Sequence, residues 1–180
     1  DGKDLKDIKY DNVILATPAW DHHTQTIKLL QQDKNVYVEK PLSLTCTECC
    51  IIKSFLREQT LMVGHIFLYN DRVHKIKELL PEIGEVQHIE MNRLNWGRFQ
   101  TKISTVHSLA PHDFQNIRHS GHKYSGKVQN DRDEFEFTCN RIPVKLNLSW
   151  YYPEKVRTTA IVGTKGMIFW DEEAKSIKLT

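Results

Sequence analysis

Apolar positions along the chain fall into two regimes. In the first, short apolar runs alternate with helical stretches. Val13-Ile14-Leu15-Ala16-Thr17-Pro18 is a compact run ended by a proline and predicts a buried parallel strand. Asp21 is placed to cap the helix that follows, which carries Ile27, Leu29 and Leu30 toward its end. Asn35 to Pro41 predicts a second strand, again closed by a proline, and Thr45 opens a helix through Ile51, Ile52, Phe55 and Leu56. Leu61-Met62-Val63-Gly64 predicts a third strand leading into His65. Strand and helix in alternation mean βαβ units and a parallel sheet.

The second regime begins between His65 and Asn70. A helix is expected over 71–80, stopped near Pro81 and Gly84. From Glu85 to Asn95, Val86, Ile89, Met91 and Leu94 sit among Gln87, Glu90 and Arg93, which predicts a strand. A helix over 108–119 and a polar loop over 120–133 come next, then strands over 134–139, 143–152, 156–163, 167–170 and 176–179. Short turns between successive strands predict a largely antiparallel sheet. The fold class is therefore α/β, with a partial parallel sheet over residues 1–67 and an α+β domain over 68–180. Three parallel strands cannot be covered by helices on both faces, and no G-x-G-x-x-G occurs, so both ends are expected to be truncated relative to a working protein. The two helices of the second part can cover only one face of its sheet. Phe135-Glu136-Phe137, Leu146-Asn147-Leu148 and Trp150-Tyr151-Tyr152 then lead us to expect an aromatic second face buried against another copy, in a homodimer or homotetramer.

Composition narrows the functional classes. The chain has 180 residues, 39% hydrophobic and 27% charged, with a formal net charge of +2. That balance gives neither a nucleic-acid footprint nor a polybasic membrane anchor. No apolar run reaches membrane-helix length, and DGKDLKD has no signal-peptide order, so a cytoplasmic location is expected. Cys46, Cys49, Cys50 and Cys139 lack the paired spacing of a zinc site and read as reduced thiols; no metal is expected. Gly163-Thr164-Lys165-Gly166 lacks the G-K-[ST] ending of a phosphate loop and reads as a hairpin turn.

Two short motifs carry chemistry. Glu39-Lys40-Pro41 puts a lysine at the carboxyl end of a parallel strand, where open α/β sheets bind ligands, and the following proline fixes its direction. Thr17-Pro18 ends the preceding strand in the same manner. Ala110-Pro111-His112-Asp113 puts a histidine, able to exchange a proton near neutral pH, close to an expected helix start that Pro111 and Asp113 suit.

These features resemble the Gfo/Idh/MocA oxidoreductases. The resemblance runs from Val13 to Gly166 and includes Ala16-Thr17-Pro18, Glu39-Lys40-Pro41, Met62-Val63-Gly64-His65, Gly84-Glu85-Val86, His112 and Gly163-Thr164-Lys165-Gly166. Arg93-Leu94-Asn95-Trp96-Gly97-Arg98-Phe99 and Ser108-Leu109-Ala110-Pro111-His112-Asp113 resemble the branch of the UDP-N-acetylglucosaminuronate 3-dehydrogenases. The resemblance implies that residues 1–67 are the later part of a dinucleotide-binding Rossmann domain and that 68–180 form a substrate-binding and oligomerisation domain. It implies NAD or NADP as cofactor, NAD first, and hydride transfer between nicotinamide and a sugar or nucleotide-sugar hydroxyl. His112 is then the base or matching acid, and Lys40 hydrogen-bonds the reacting oxygen. Thr17, Pro18, His22, Glu39, Lys40 and Pro41 line the cofactor crevice. Trp96, Arg98, His112 and Asp113 join Lys40 on the substrate. Many members carry an aspartate where Ser108 stands, so an Asp–His pairing is not implied. Lys40 and His112 are expected to converge on one cleft, and the Lys40–Pro41 peptide to be cis. The alternative is a non-catalytic member that binds cofactor or ligand as a sensor or partner; the given chain by itself could also be an inert fragment.

Overall fold

A computed structural model describes residues 9–97, 102–117, 132–139 and 141–180. The chain divides into two compact units, Asp1–Gly64 and His65–Thr180.

In the first unit, β1 (Asn12–Leu15), β2 (Asn35–Val38) and β3 (Leu61–Val63) form a parallel sheet in that order. Leu15, Val36, Val38, Leu30 and Ile52 share one core, so α1 (Ala19–Gln31) and α2 (Cys46–Phe55) cover the same face. The opposite row runs Ile14–Tyr37–Met62, and Ile14 is 74% exposed. Thr45 opens α2 with a capping box: its hydroxyl accepts from Glu48 N, and Glu48 Oε2 accepts from Thr45 N. Asp21 does not cap α1. Pro18 is the N-cap, without a side-chain hydrogen bond, and Asp21 lies in the first turn, where its charge still suits the helix dipole.

In the second unit a 3-10 turn (Ile66–Tyr69) precedes α3 (Asp71–Leu79), a second 3-10 turn (Leu80–Ile83) and β4 (Val86–Trp96). Then come α4 (Thr105–Ile117), β5 (Arg132–Cys139), β6 (Ile142–Ser149), β7 (Tyr151–Gly163), β8 (Met167–Asp171) and β9 (Ser176–Leu179). The sheet order is β5-β6-β4-β7-β8-β9; β4 runs parallel to β6 and the other neighbours are antiparallel. The expected strand 143–152 breaks after Ser149, so Tyr151 and Tyr152 open β7 instead. Of the expected polar loop, 132 and 133 belong to β5, and 120–131 lie outside the described residues.

In β5 and β6 the large apolar residues lie on the covered face and not on the expected second face. Phe135, Phe137, Leu146 and Leu148 lie on one face with Met91 and pack against α4 through Ala110. At the alternate positions the other face carries Glu134, Glu136, Lys145, Asn147, Glu90 and Asn92. The strand period of two put every large apolar residue of β5 and β6 on the covered side. A second core on that side joins Phe67, Val73, Ile76, Ile83, Ile161, Ile168 and Trp170. The Gly163–Gly166 hairpin is present, closed by Gly163 N donating to Gly166 O at 2.8 Å.

Candidate active site

Because the first sheet is parallel, its three carboxyl ends lie along one edge. Glu39 N donates to Leu15 O at 2.9 Å and Gly64 N to Val38 O at 2.8 Å, which carries the ladder into the turns that follow β2 and β3. The Lys40–Pro41 peptide is cis, as expected. The Lys40 main-chain N–H donates to Glu39 Oε2 at 3.3 Å, and the Thr17 hydroxyl donates to Gln25 Oε1 at 2.8 Å. Pro18 is exposed, while Thr17, Glu39, Lys40 and Pro41 are half-buried.

His22, expected to line the cofactor crevice, lies beneath the two proline turns. It is 1% exposed, with Nδ1 2.7 Å from Pro41 O and Nε2 2.8 Å from Thr17 O. Carbonyls only accept, so the ring donates from one nitrogen when neutral and from both when protonated. His22 thus ties the two proline turns together from inside. It sits in the buried stripe of α1 with Thr26 and Leu30.

In the second unit, α4 begins three residues before its expected start, so Pro111 is interior to the helix. It has no N–H to give the His107 carbonyl, and the helix loses one bond just before His112. His112 is half-buried, its ring 5.0 Å from that of Phe67 and tilted by 52°.

Asp113, expected on the substrate, is buried and paired within the unit. It is 3% exposed, and its carboxylate accepts two hydrogen bonds from Arg93, Nε to Oδ2 at 2.7 Å and Nη2 to Oδ1 at 2.9 Å. Arg93 is 5% exposed, also donates to Glu172 Oε2 at 3.3 Å, and lies 5.4 Å from the Phe67 ring centre. Arg157 donates to Leu94 O, Val156 O and Asn95 Oδ1. Arg93 and Arg157 thus lie together among carboxylates around the end of β4. Burial works against the Arg93 charge, but the Asp113 carboxylate, helped by Glu172, outweighs it and holds the guanidinium above the usual arginine range. Burial, then repulsion from Arg93, lower Arg157, against the pull of Glu172, Asp113 and Glu173.

Arg93, Phe67 and Glu172 were missed from sequence. One signal was present. Ile89, Met91 and Arg93 form one alternating row, and an arginine on a buried row requires a buried anion. Assigning Leu94 to that row hid it; Leu94 lies on the other face, opposite Ser149. Trp96 ends β4 and is 66% exposed, 6.0 Å edge-on from Tyr151. Arg98 lies outside the described residues. No group of three or more His, Cys, Asp or Glu able to hold a metal occurs among the described residues, nor any helix long and apolar enough to cross a membrane.

Residues 3–67 match the family described as oxidoreductase family, NAD-binding Rossmann fold. This part of the chain is similar to the Gfo/Idh/MocA oxidoreductases. An uncharacterised oxidoreductase of Streptococcus pneumoniae is 37% identical over 98 residues, covering 52% of this chain and 27% of that protein. The 2,7-anhydro-N-acetylneuraminate hydratase of Escherichia coli is 33% identical over 98 residues, covering 52% of the chain and 26% of that protein. The chain thus spans about a quarter of the length of each of these curated relatives. The solved UDP-N-acetylglucosamine 3-dehydrogenase of Acidithiobacillus ferrooxidans has the same fold over 94% of the chain and 60% of its own, with a TM-score of 0.76 at 21% identity. A Rossmann-type parallel-sheet unit followed by a mixed-sheet unit, the fold of that structure, accounts for both parts of the chain.

The cofactor of such a family fits what the first unit offers. The carboxyl edge of a parallel sheet carries a hydroxyl at Thr17, a carboxylate at Glu39 and an ammonium at Lys40, on turns held by main-chain bonds. No G-x-G-x-x-G occurs in this sequence.

Proposed function

We propose that the protein carrying this chain is an NAD(P)-dependent oxidoreductase acting on a hydroxyl of a sugar or nucleotide sugar. One observation carries the reading: Lys40 stands at the carboxyl edge of a parallel sheet whose sequence matches an NAD-binding family. NAD or NADP, when bound, supplies the hydride acceptor. Thr17, Pro18, Glu39, Lys40 and Pro41 wall the cofactor. Lys40 donates a hydrogen bond to the reacting oxygen and steadies negative charge that develops there. His112 takes the hydroxyl proton in oxidation and returns it in reduction. Trp96 and Arg98 border the substrate. This assignment requires Lys40 and His112 to meet over one substrate when both units are in place.

The test is turnover by the whole protein. NAD and NADP are each supplied with a panel of UDP-sugars and inositols, and reduced cofactor is followed by absorbance. Reduction with at least one of them supports the reading; cofactor binding without turnover of any substrate favours a sensor. The hydratase relative at 33% identity favours a second reading, in which the net reaction adds water and the cofactor ends as it began. An anhydro sugar acid added to the same panel separates the two: product heavier by one water, with no net cofactor reduction, supports the hydratase.

A further inference from the structure

Arg93 occupies an expensive position. It stands on the covered face of β4, opposite Leu148 on one side and Arg157 on the other, following Ile89 and Met91 on that row. A charge in such a place costs stability unless it is paired, and even a well-paired buried ion pair contributes little net stability over an apolar pair of the same volume. A stabilising role alone therefore explains Arg93 and Asp113 poorly. A bidentate guanidinium–carboxylate contact contributes something an apolar pair cannot, which is a fixed plane and direction.

That direction bears on His112. Asp113 follows it on α4, where Pro111 has removed a helical hydrogen bond one turn earlier. The helix is least held by its own backbone where His112 leaves it, and the Arg93 fork grips the next residue. The same Arg93 lies over Phe67, the ring against which the His112 imidazole packs. One guanidinium thus touches two neighbours of the imidazole: the residue after it and the ring beneath it. Glu172 holds the guanidinium from a third side.

We infer that Arg93 and Asp113 are positioning residues for His112, a clamp that fixes the rotation of α4 and aims the imidazole. This rests on the reading of His112 as the proton-transfer group. The pair does not touch substrate; its effect is on alignment, which belongs to the chemical step more than to binding.

Three variants of the whole protein test it, assayed with NAD and the panel substrate of highest turnover. Arg93→Met with Asp113→Leu removes both charges together and so leaves neither stranded. Arg93→Lys keeps the charge and loses the fork. His112→Ala tests the underlying reading. The clamp predicts that the double variant keeps its circular dichroism spectrum and loses about 10–100-fold in kcat, with KM changed less than about threefold. Arg93→Lys is expected to lose less. In 13C-labelled protein, the His112 ring signal, assigned by its loss in His112→Ala, is expected to broaden or split in both. Unchanged kcat and an unchanged ring signal in folded Arg93→Lys overturn the clamp, and so does the same result in the double variant. Full turnover in His112→Ala overturns the reading of His112 instead, while a perturbed ring signal still supports the clamp.

Discussion

Gly163→Ala is expected to unfold much of what the second unit gains from its hairpin. A methyl group built at Gly163 runs into the main-chain carbonyl oxygen of Ile83, with the Ile83 carbonyl carbon at 2.9 Å and its Cβ at 3.0 Å. Neither is the end of a flexible side chain, so the strand and the Ile83 segment must part. Parting them strains three hydrogen bonds: Lys165 N to Ile83 O, Thr164 N to Glu85 O, and Glu85 N to Thr164 Oγ1. At about 0.5–1.5 kcal/mol each, their loss amounts to roughly 3 kcal/mol. Lost contacts of Ile83, which is fully buried, add to this. Restricting the unfolded chain at a former glycine returns only about 0.4–1 kcal/mol. The net expectation is about 2–4 kcal/mol, a fall in melting temperature of roughly 10 °C. Trp150 and Trp170 are buried in this unit and report its unfolding by fluorescence in urea. A midpoint for Gly163→Ala within about 0.5 kcal/mol of the parent would refute the reasoning, because it would mean the two segments separate without cost.

Gly64→Ala is expected to behave differently. Its Cβ would meet Tyr37 Oη at 2.8 Å and Glu39 Oε2 at 3.2 Å, both side-chain ends that can swing aside, so stability falls by only about 1 kcal/mol. The consequence falls on Glu39, which holds the Lys40 main chain; NAD affinity, read by titration, is expected to weaken several-fold, and a stability loss as large as that of Gly163→Ala would show the turn to be rigid. His22→Leu fills the ring's space but leaves the Thr17 and Pro41 carbonyls without their partner. A loss of about 1–3 kcal/mol is expected in a thermal melt followed by far-ultraviolet circular dichroism; an unchanged melt would show that His22 does not tie the turns.

Local signals were legible in the sequence where they depend on near neighbours. The apolar runs placed β1, β2 and β3, Thr45 marked the start of α2, and Gly163 to Gly166 marked a hairpin. Glu39-Lys40-Pro41 could be placed at a parallel strand end because the alternation of elements fixed the sheet type. What escaped depends on register and rotation. Arg93 and Asp113 are 20 residues apart, and only the phase of β4 together with the turn of α4 brings them into contact. His22 looked like a crevice residue because it follows Thr17-Pro18, yet the stripe it shares with Thr26 and Leu30 points inward. Pro111 suggested a helix start because interior proline is costly, and tertiary contacts at Ala110 and Asp113 overrode that preference.

The most direct test of the central claim compares the parent protein with Lys40→Ala and His112→Ala in cofactor reduction across the sugar panel. The account predicts reduction by the parent with at least one substrate, and a fall of about 10²–10⁴-fold in turnover for each variant with circular dichroism unchanged. A folded His112→Ala protein that reduces NAD at the parent rate would contradict it.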